Sequence, residues 1–462
     1  MQLNGKATRI DLLNFSSPSM RAFHMAWLAF FLCFFAWFGI APLMAVVREE
    51  IGLTKEQIGW CMIGSVAITI FARLLIGWLC DRVGPRRTYS ALLIAGSLPV
   101  MGIALAHDFQ TFLLFRVLIG AIGASFVITQ YHTSLMFAGN CVGTANATTA
   151  GWGNLGGGVT QFAMPLLFAF FVSVVGLTSA AGWRLSMVVA GIACALTGVA
   201  YYLLTQDTPE GDFATLRASG RLPHAAASKG MFLEACRDRR VWALAAIYGA
   251  CFGIELTVNN VAVLYFVDYF DEFRQMDSVR AMKYAGLIAA SFGLMNLFAR
   301  TLGGAMGDKC GALWGLSGRV KWLFLALFGE GLTLMLFSQT HVLVLAIPAL
   351  VLFSLFVQMS EGATYAVVPF VNRRALGSVA GIVGAGGNMG AVAAGFLFKS
   401  ESLDWSTALL VLGALVTACS FLSLAVTFSP AAEQQAAEAA AREALPGWAA
   451  GSGSLESALQ ET

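Results

Sequence analysis

FARLLIGWLCDRVG, at residues 71–84, recurs as FARTLGGAMGDKCG at residues 298–311, a shift of 227 positions. The identical positions in the first copy are Phe71, Ala72, Arg73, Leu75, Gly77, Asp81 and Gly84. A second pair of segments, GWGNLGG at 151–157 and AGGNMGA at 385–391, is centred on Asn154 and Asn388. Because the two pairs recur in the same order at similar separations, the sequence predicts two halves related by repetition.

The composition is that of a protein embedded in lipid. Of the 462 residues, 58% are hydrophobic and 12% are charged, against about 25% charged in soluble domains. A helix needs roughly 20 apolar residues to cross a bilayer, and backbone groups in lipid must be hydrogen-bonded within the segment. Such segments are found at 24–46, 56–80, 88–107, 111–137, 143–175, 183–205, 241–268, 284–307, 321–339, 342–369, 377–399 and 404–428. We therefore expect an all-α membrane protein of twelve transmembrane helices in two pseudo-symmetric six-helix halves.

The distribution of Lys and Arg between the predicted loops indicates how the chain is oriented. Eighteen of these residues fall on the side of the N-terminus and six on the other side, which predicts that both termini are cytoplasmic. The longest polar connection, 206–240, separates an N-terminal half at 1–205 from a C-terminal half at 241–428. The tail at 429–462 is rich in Ala, Glu and Gln and then in Gly and Ser, and we expect it to be partly disordered.

The remaining composition argues against other classes of protein. The net charge of +2 gives no sign of a nucleic-acid partner. The nine Cys residues form no CxxC pair and fall in predicted helices or on the cytoplasmic side, so we expect no disulfide framework and no metal site. The five His residues are widely scattered and offer no catalytic cluster, so we expect neither an enzyme nor a cofactor.

Two Arg residues lie inside predicted membrane segments at matching positions. Arg73 and Arg300 each precede an Asp by eight residues, which places them about 12 Å deep at 1.5 Å per residue. An Arg at that depth costs at least ~2.5 kcal/mol and needs a partner. One alternative is a buried ion pair with Glu255, Glu330 or Glu361. The other is an anion site, because two guanidinium forks facing one cavity suit a planar oxyanion.

The glycine-rich segments around Asn154 and Asn388 also have two interpretations. Small residues allow helices to approach closely, and this packing role explains most of the glycines. It does not explain a polar Asn at the matched place in both halves. We predict that each amide bonds either a substrate oxygen or a neighbouring backbone group.

The seventh segment carries polar and aromatic residues on one helical face, since Tyr248, Phe252, Glu255 and Asn259 follow i, i+4, i+7, i+11 spacing. An ionisable residue inside a membrane is a functional hypothesis by default, so Glu255 is our candidate for carrying a coupled proton. Its alternatives are a salt bridge to Arg300 or Arg116, or a hydrogen bond to Asn260. For His132 and Glu361 we expect bonds to local backbone groups.

Several motifs resemble known transporters. GWLCDRVGPRR at 77–87 resembles the signature loop between helices two and three of the major facilitator superfamily, with a degraded copy at 304–311. FRVLIGAIGA around Arg116 resembles its helix-four motif. The two glycine–Asn segments, and ITQYHTSLMF at 128–137, resemble the nitrate signatures of the nitrate/nitrite porter family. The resemblance covers all twelve predicted helices and implies the major facilitator fold.

The resemblance also implies roles for particular residues. Arg73 and Arg300 are expected to clamp the anion, with Asn154 as a further ligand. The remaining expected substrate-binding residues are Tyr248, Phe252, Asn388, Gly384 and Phe126, with Phe34 or Phe38 from the first helix. Asp81, Asp308 and Arg82 lie at cytoplasmic helix ends, where we assign them to gating. We expect the two Asp carboxylates to cap neighbouring helix N-termini.

The function predicted from the sequence is secondary transport of nitrate and nitrite by alternating access, in which one half rocks against the other. Proton-coupled uptake is favoured because of Glu255. A nitrate/nitrite exchanger and a carrier for another monovalent anion such as chloride or formate are the alternatives. A channel is a third, and its flux would not be stimulated by counter-substrate. The short loops favour a bacterial inner membrane, and we expect a monomer.

Overall fold

The computed structural model of the protein describes residues 5–137, 142–220, 229–372 and 376–434. We name the long helices α1 to α12 in chain order. They are α1 (Pro18–Ile51), α2 (Lys55–Val83), α3 (Pro85–Leu105), α4 (Phe109–Met136), α5 (Ala145–Val174), α6 (Ser179–Leu204), α7 (Arg239–Tyr269), α8 (278–313), α9 (316–338), α10 (Leu343–Val367), α11 (Leu376–Lys399) and α12 (Trp405–Ala425).

The prediction of twelve membrane-spanning helices is confirmed, with one difference in how two of them are joined. Within the described ranges, 11 helical stretches are long and apolar enough to cross a membrane. One of these, Ser278–Ser338, is 61 residues long and contains the eighth and ninth predicted segments. It is interrupted at Trp314 and at Gly315, whose φ of 68° lies in the left-handed region that favours glycine. A short break therefore separates α8 from α9, where the sequence predicts a longer loop.

Polar side chains define where several helices begin. Thr54 accepts a hydrogen bond from the Gln57 amide, and the Gln57 side chain accepts one from the Thr54 amide, which forms a capping box before α2. Asp108, Thr178, Asp277 and Asp404 accept backbone amide bonds in the same way before α4, α6, α8 and α12. All five helices begin on the side of the bundle away from the start of α1. We call that side the opposite side, and the side where α1 begins the terminal side.

The two halves are packed in the same way. α1 packs on α5 and α3 on α6 in the N-terminal half, whereas α7 packs on α11 and α9 on α12 in the C-terminal half. Two large contacts, α2 with α11 and α5 with α8, join the halves. α2 and α8 occupy corresponding places in the two halves, as do α5 and α11. Exchange of the halves therefore converts one contact into the other. The structure therefore has the pseudo-two-fold arrangement that the sequence repeat predicts.

The glycine-rich segments bring helices into close contact. A Cβ added at Gly156 would lie 2.1 Å from the Phe31 carbonyl oxygen of α1, and one at Gly390 would lie 2.0 Å from the Gly249 carbonyl oxygen of α7. At the contact between the halves, a Cβ on Gly158 would lie 2.6 Å from a backbone carbon of α8. Real Cβ atoms are essentially never closer than 3.0 Å, so these positions require glycine. The packing role predicted for most of these glycines is confirmed.

Ion pairs hold the halves together on the opposite side. Arg48 near the end of α1 makes a bidentate contact with Asp268 of α7, with N–O distances of 2.5 and 2.7 Å. Lys399 at the end of α11 lies 3.5 Å from Glu56 at the start of α2. The structure is therefore one in which the two halves are in contact on the opposite side.

The division into two halves, a linker and a tail stays a prediction. Short helices at Phe213–Ala218 and Lys229–Arg237 lie in the predicted linker. The predicted disordered tail lies outside the described residues from position 435 onward.

Candidate functional site

Arg73 reaches from α2 to the C-terminal half. Its Nη1 donates a hydrogen bond to the Gly384 carbonyl oxygen of α11 over 3.0 Å. Its Cζ lies 5.8 Å from the centroid of the Phe126 ring of α4, within the range of a cation–π contact. A Cβ added at Gly384 would be 3.6 Å from the Arg73 Nη1. Three predicted site residues are thus brought together, and the group that accepts the hydrogen bond from Arg73 is a backbone carbonyl rather than a carboxylate.

Arg300 occupies the matching position on α8 but has a charged partner. Its Nη1 lies 2.7 Å from Oε2 of Glu361 on α10, and its Nη2 donates to the Tyr248 hydroxyl over 2.8 Å. The Arg300 side chain is 12% exposed and that of Glu361 is 0% exposed. Just before Arg300, Met295–Leu297 forms a 3-10 turn, so α8 is irregular beside the charge. Of the two alternatives for Arg300, this conformation therefore shows the buried ion pair. The prediction that Glu361 bonds a local backbone group is wrong.

Aromatic rings lie between the two guanidinium groups. The rings of Tyr248 and Phe252 on α7 are stacked, with centroids 5.2 Å apart and planes at 8°. Tyr365 of α10 meets Tyr248 edge to face at 5.1 Å. Arg300 donates to the Tyr248 hydroxyl. A Cβ added at Gly384 would lie 3.6 Å from the Arg73 Nη1 and 3.5 Å from the Tyr365 hydroxyl. The two predicted clamp residues therefore face one shared aromatic pair.

Tyr365 is a site residue that the sequence reasoning missed. A Cβ added at Gly384 would lie 3.5 Å from its hydroxyl, so it borders the same space as Arg73. The available signal was its position one helical turn after Glu361, which places the two side chains on one face of α10.

The two predicted asparagines are buried with unsatisfied amide atoms. Asn154 is 2% exposed and Asn388 is 0% exposed. Among the described residues, the Asn154 Oδ1 and both amide atoms of Asn388 have no hydrogen-bond partner. A Cβ at Gly387 would lie 2.5 Å from the Phe252 ring, so this part of α11 faces the aromatic pair. A buried amide without a partner costs about 1–3 kcal/mol, and such groups are rare unless they have a function.

Glu255 lies deep in α7 and has a partner that was not predicted. Its Oε1 accepts a hydrogen bond from the Asn296 Nδ2 of α8 over 2.6 Å, whereas its Oε2 has no partner among the described residues. The hydrogen bond expected to Asn260 is not formed, because the Asn260 Nδ2 donates to the Leu256 carbonyl oxygen over 2.9 Å. Asn296 could be recognised only from the fold, since it belongs to the irregular turn before Arg300.

The predicted gating residues lie at helix ends on the terminal side. The Asp81 side chain lies outside the described part of the structure. The Arg82 guanidinium stacks on the Trp78 ring at 4.4 Å. Asp308 pairs with Arg319 in the first turn of α9. The capping role expected of Asp308 is instead filled by Glu433, which accepts from the Leu316 and Ser317 amides at 2.6 and 3.1 Å.

Arg116 stands apart from this site. It donates to the Trp37 carbonyl oxygen at 3.1 Å and the Ser65 hydroxyl at 3.2 Å as well as to Asn260. All three acceptors are neutral, which suits a structural junction between the halves. Among the described residues there is no cluster of three or more His, Cys, Asp or Glu that could hold a metal ion.

Comparison with known proteins identifies the superfamily. The family model described as Major Facilitator Superfamily matches residues 26–368. A solved bacterial homolog of the human lysosomal transporter Spinster, inward-facing and unoccupied, superposes with a TM-score of 0.67 at 17% identity over 90% of this chain and 99% of that one. The inward-open xylose transporter XylE from E. coli gives a TM-score of 0.66 at 13% identity over 91% and 99% of the two chains. These two likenesses concern the fold.

Curated relatives identify the family more narrowly. The high affinity nitrate transporter 2.5 of Arabidopsis thaliana is 38% identical over 416 residues, covering 90% of this chain and 81% of the relative. The nitrate/nitrite transporter NrtP of Picosynechococcus is 32% identical, covering 80% of this chain and 83% of the relative. These relatives are named as transporters and not as enzymes. The chain is a multi-pass membrane transporter and belongs to the nitrate/nitrite porter family of the major facilitator superfamily.

Proposed function

We propose that the protein moves nitrate and nitrite across the membrane by alternating access, with the anion held between Arg73 and Arg300. The observation that carries this proposal is that guanidinium groups from corresponding helices of the two halves meet at one tyrosine pair. Arg300 donates to the Tyr248 hydroxyl, and the Arg73 Nη1 and the Tyr365 hydroxyl both border Gly384. The names of the relatives support the choice of anion.

The surroundings suit a small planar anion. Each guanidinium presents parallel N–H donors that match two oxygens of an oxyanion. The stacked rings of Tyr248 and Phe252 offer flat apolar surfaces to the weakly hydrated faces of nitrate. The unsatisfied amide atoms of Asn388 provide a neutral donor that adds no charge to the site. Nitrate thereby satisfies groups that are costly to leave unbonded.

Alternating access follows from where the halves touch. The close contact of Gly158 with α8 joins the halves beside the site. The Arg48–Asp268 pair joins them on the opposite side. An anion between two Arg residues from different halves offsets their repulsion, so binding favours approach of the halves. Rocking of one half against the other would then expose the site to each side in turn.

Proton-coupled nitrate uptake is the coupling mode that we favour. A transporter that carries only an anion inward works against an inside-negative membrane potential, and a proton taken up with the anion removes that cost. The buried carboxyl groups Glu255 and Glu361 next to Arg300 supply groups that can hold a proton. Nitrate/nitrite exchange and transport of another monovalent anion remain the alternatives. We further propose that the protein acts as a monomer in a bacterial inner membrane with both termini in the cytoplasm.

Transport by the purified protein in liposomes tests these proposals. Nitrate uptake is measured with an inward proton gradient and no internal anion, and separately with internal nitrite and no gradient. Symport predicts uptake under the first condition, whereas obligatory exchange predicts uptake only under the second. Chloride and formate at tenfold excess test the choice of anion. If either blocks uptake as well as unlabelled nitrate does, the assignment of nitrate as the preferred substrate is wrong.

A further inference from the structure

The Glu361–Arg300 contact is unusual for a buried ion pair. The charged atoms are 2.7 Å apart, yet neither Glu361 oxygen accepts a directed hydrogen bond from any described residue. Buried ion pairs need such bonds to offset the loss of hydration. Arg300 Nη1 likewise lacks a directed hydrogen bond, so the contact between the two side chains rests on the attraction of their charges.

Resting on the nitrate transport proposed above, we propose that Glu361 binds the coupled proton and that its carboxylate competes with nitrate for Arg300. While Glu361 is ionised, Arg300 is neutralised and offers little attraction to an anion. A proton on Glu361 removes the competing charge. Nitrate then takes its place against the same guanidinium.

The charges balance in this exchange. A proton from the aqueous phase bonds to a Glu361 oxygen, and the contact with the Arg300 Nη1 breaks. A nitrate oxygen accepts the freed N–H. The carboxylate charge of −1 is replaced by the nitrate charge of −1, so the buried site keeps its net charge through the step. One proton therefore enters with each anion at this position.

The groups around Glu361 support binding of a proton in this cluster. Those that face it are Tyr248, Cys251 and Glu255 of α7, Arg300 of α8, Glu330 of α9 and Tyr365 of α10. Three carboxyl groups thus lie close together, and the one guanidinium is paired with Glu361. They cannot all be ionised without leaving unpaired charge in a low-dielectric interior.

Among these carboxyls, Glu361 is the one placed to control the anion site. Glu255 accepts a hydrogen bond from Asn296, and this neutral partner is not a predicted anion ligand. Glu330 is 0% exposed, belongs to α9 and forms no ion pair with Arg300. Only Glu361, within the described side chains, forms an ion pair with a predicted clamp residue. From the sequence we expect Glu255 to carry the proton, whereas the geometry favours Glu361.

The number of protons taken up per nitrate bound tests this proposal directly. Nitrate is titrated into the purified full-length protein by calorimetry, in two buffers of different ionisation enthalpy, between pH 5 and 9. The native protein should take up about one proton per nitrate where Glu361 is ionised, and its apparent Kd should rise about tenfold per pH unit there. Glu361→Gln should take up no proton and should keep high nitrate affinity at pH 8.

Three further variants make the outcome unambiguous. Glu361→Asp keeps a titratable group and should restore proton uptake, which guards against misfolding of the Gln variant. Glu330→Gln is the control, because it removes a neighbouring carboxyl that forms no ion pair with Arg300, and it should still take up about one proton per nitrate. If Glu255→Gln loses proton uptake while Glu361→Gln keeps it, the proposal is overturned in favour of Glu255. Nitrate binding by the native protein without proton uptake at any pH overturns the coupling role alone, whereas absence of nitrate binding overturns the proposed function.

Discussion

The Arg73 guanidinium of α2 donates to the Gly384 carbonyl oxygen of α11 over 3.0 Å, so a predicted anion ligand of one half is bonded to the backbone of the other. A hydrogen bond from a charged donor contributes about 1.5–3 kcal/mol. Nitrate bound at Arg73 would compete for the same N–H groups or bridge the two helices. In either case the anion acts directly on a contact between the halves.

A methyl group at Gly384 should hinder the anion without harming the fold. A Cβ there would lie 3.5 Å from the Tyr365 hydroxyl and 3.6 Å from the Arg73 Nη1, which are ordinary contacts. We expect Gly384→Ala to raise the Kd for nitrate at least about tenfold, or ~1.4 kcal/mol, with Tm unchanged. Gly381→Ala, one turn away with nothing within 4 Å of its added Cβ, is the control. Equal nitrate affinity in the two variants would place the anion elsewhere.

Replacing Asn388 with an apolar residue should preserve stability and weaken nitrate binding. Its amide is fully buried, and neither amide atom has a partner among the described residues. An apolar side chain of similar shape removes this cost of about 1–3 kcal/mol. We expect Asn388→Leu to unfold at the native Tm or above it in a thermal melt, and to bind nitrate weakly. A lower Tm with nitrate affinity intact would mean that the amide has a structural role.

Gly158 should be indispensable for movement of the halves. An added Cβ would lie 2.6 Å from a backbone carbon of Gly293 on α8, so the two helices would have to separate. We expect Gly158→Ala to lower the rate of nitrate exchange in liposomes at least about tenfold, since packed interfaces tolerate overpacking poorly. Gly304→Ala is the control, because its Cβ would meet nothing closer than 3.8 Å. Native exchange by Gly158→Ala would show that this contact is not needed for transport.

The Arg48–Asp268 pair should bias the protein toward closure on the opposite side. Its side chains are 29% and 20% exposed, and a partly exposed pair contributes roughly 0.2–1 kcal/mol. Nitroxide labels at positions 49 and 272 report the distance between the halves on this side. We expect Asp268→Asn to increase the population of molecules with the longer label-to-label distance by up to about fivefold. The charge-swapped protein, Arg48→Asp with Asp268→Arg, should restore the native distribution. Asp277→Asn, whose partner Arg280 lies on the same helix, should have no effect.

The sequence was most informative where the two halves repeat one another. Arg73 and Arg300 were found because each lies eight residues before an Asp in matching segments, and helical geometry then fixed their depth. The glycine-rich segments were informative for the same reason, since close packing leaves a pattern of small residues in both halves. Hydropathy located the helices because lipid permits few alternatives.

Features without a repeated copy could not be found in this way. Glu361 and Tyr365 lie on α10, far along the chain from Arg300. The sequence named Glu361 only as one of three possible partners, and only the packing of α10 against α7 and α8 brings it and Tyr365 to the site. Their local sequence is typical of a buried helix face. The break between α8 and α9 was predicted, but the loop was predicted too long because the polar residues around Gly315 resemble a loop, whereas the helices continue almost to that position.

The most direct test of the account is nitrate counterflow by liposomes that contain the native protein, Arg73→Lys or Arg300→Lys. Lys keeps the positive charge but loses the planar fork that binds two oxygens at once. Arg280→Lys, with a side chain that is 75% exposed in the native protein, is the control. The account predicts native counterflow in the control and a loss of at least about tenfold in each clamp variant. Undiminished counterflow in Arg73→Lys or Arg300→Lys would contradict binding of nitrate between the two guanidinium groups.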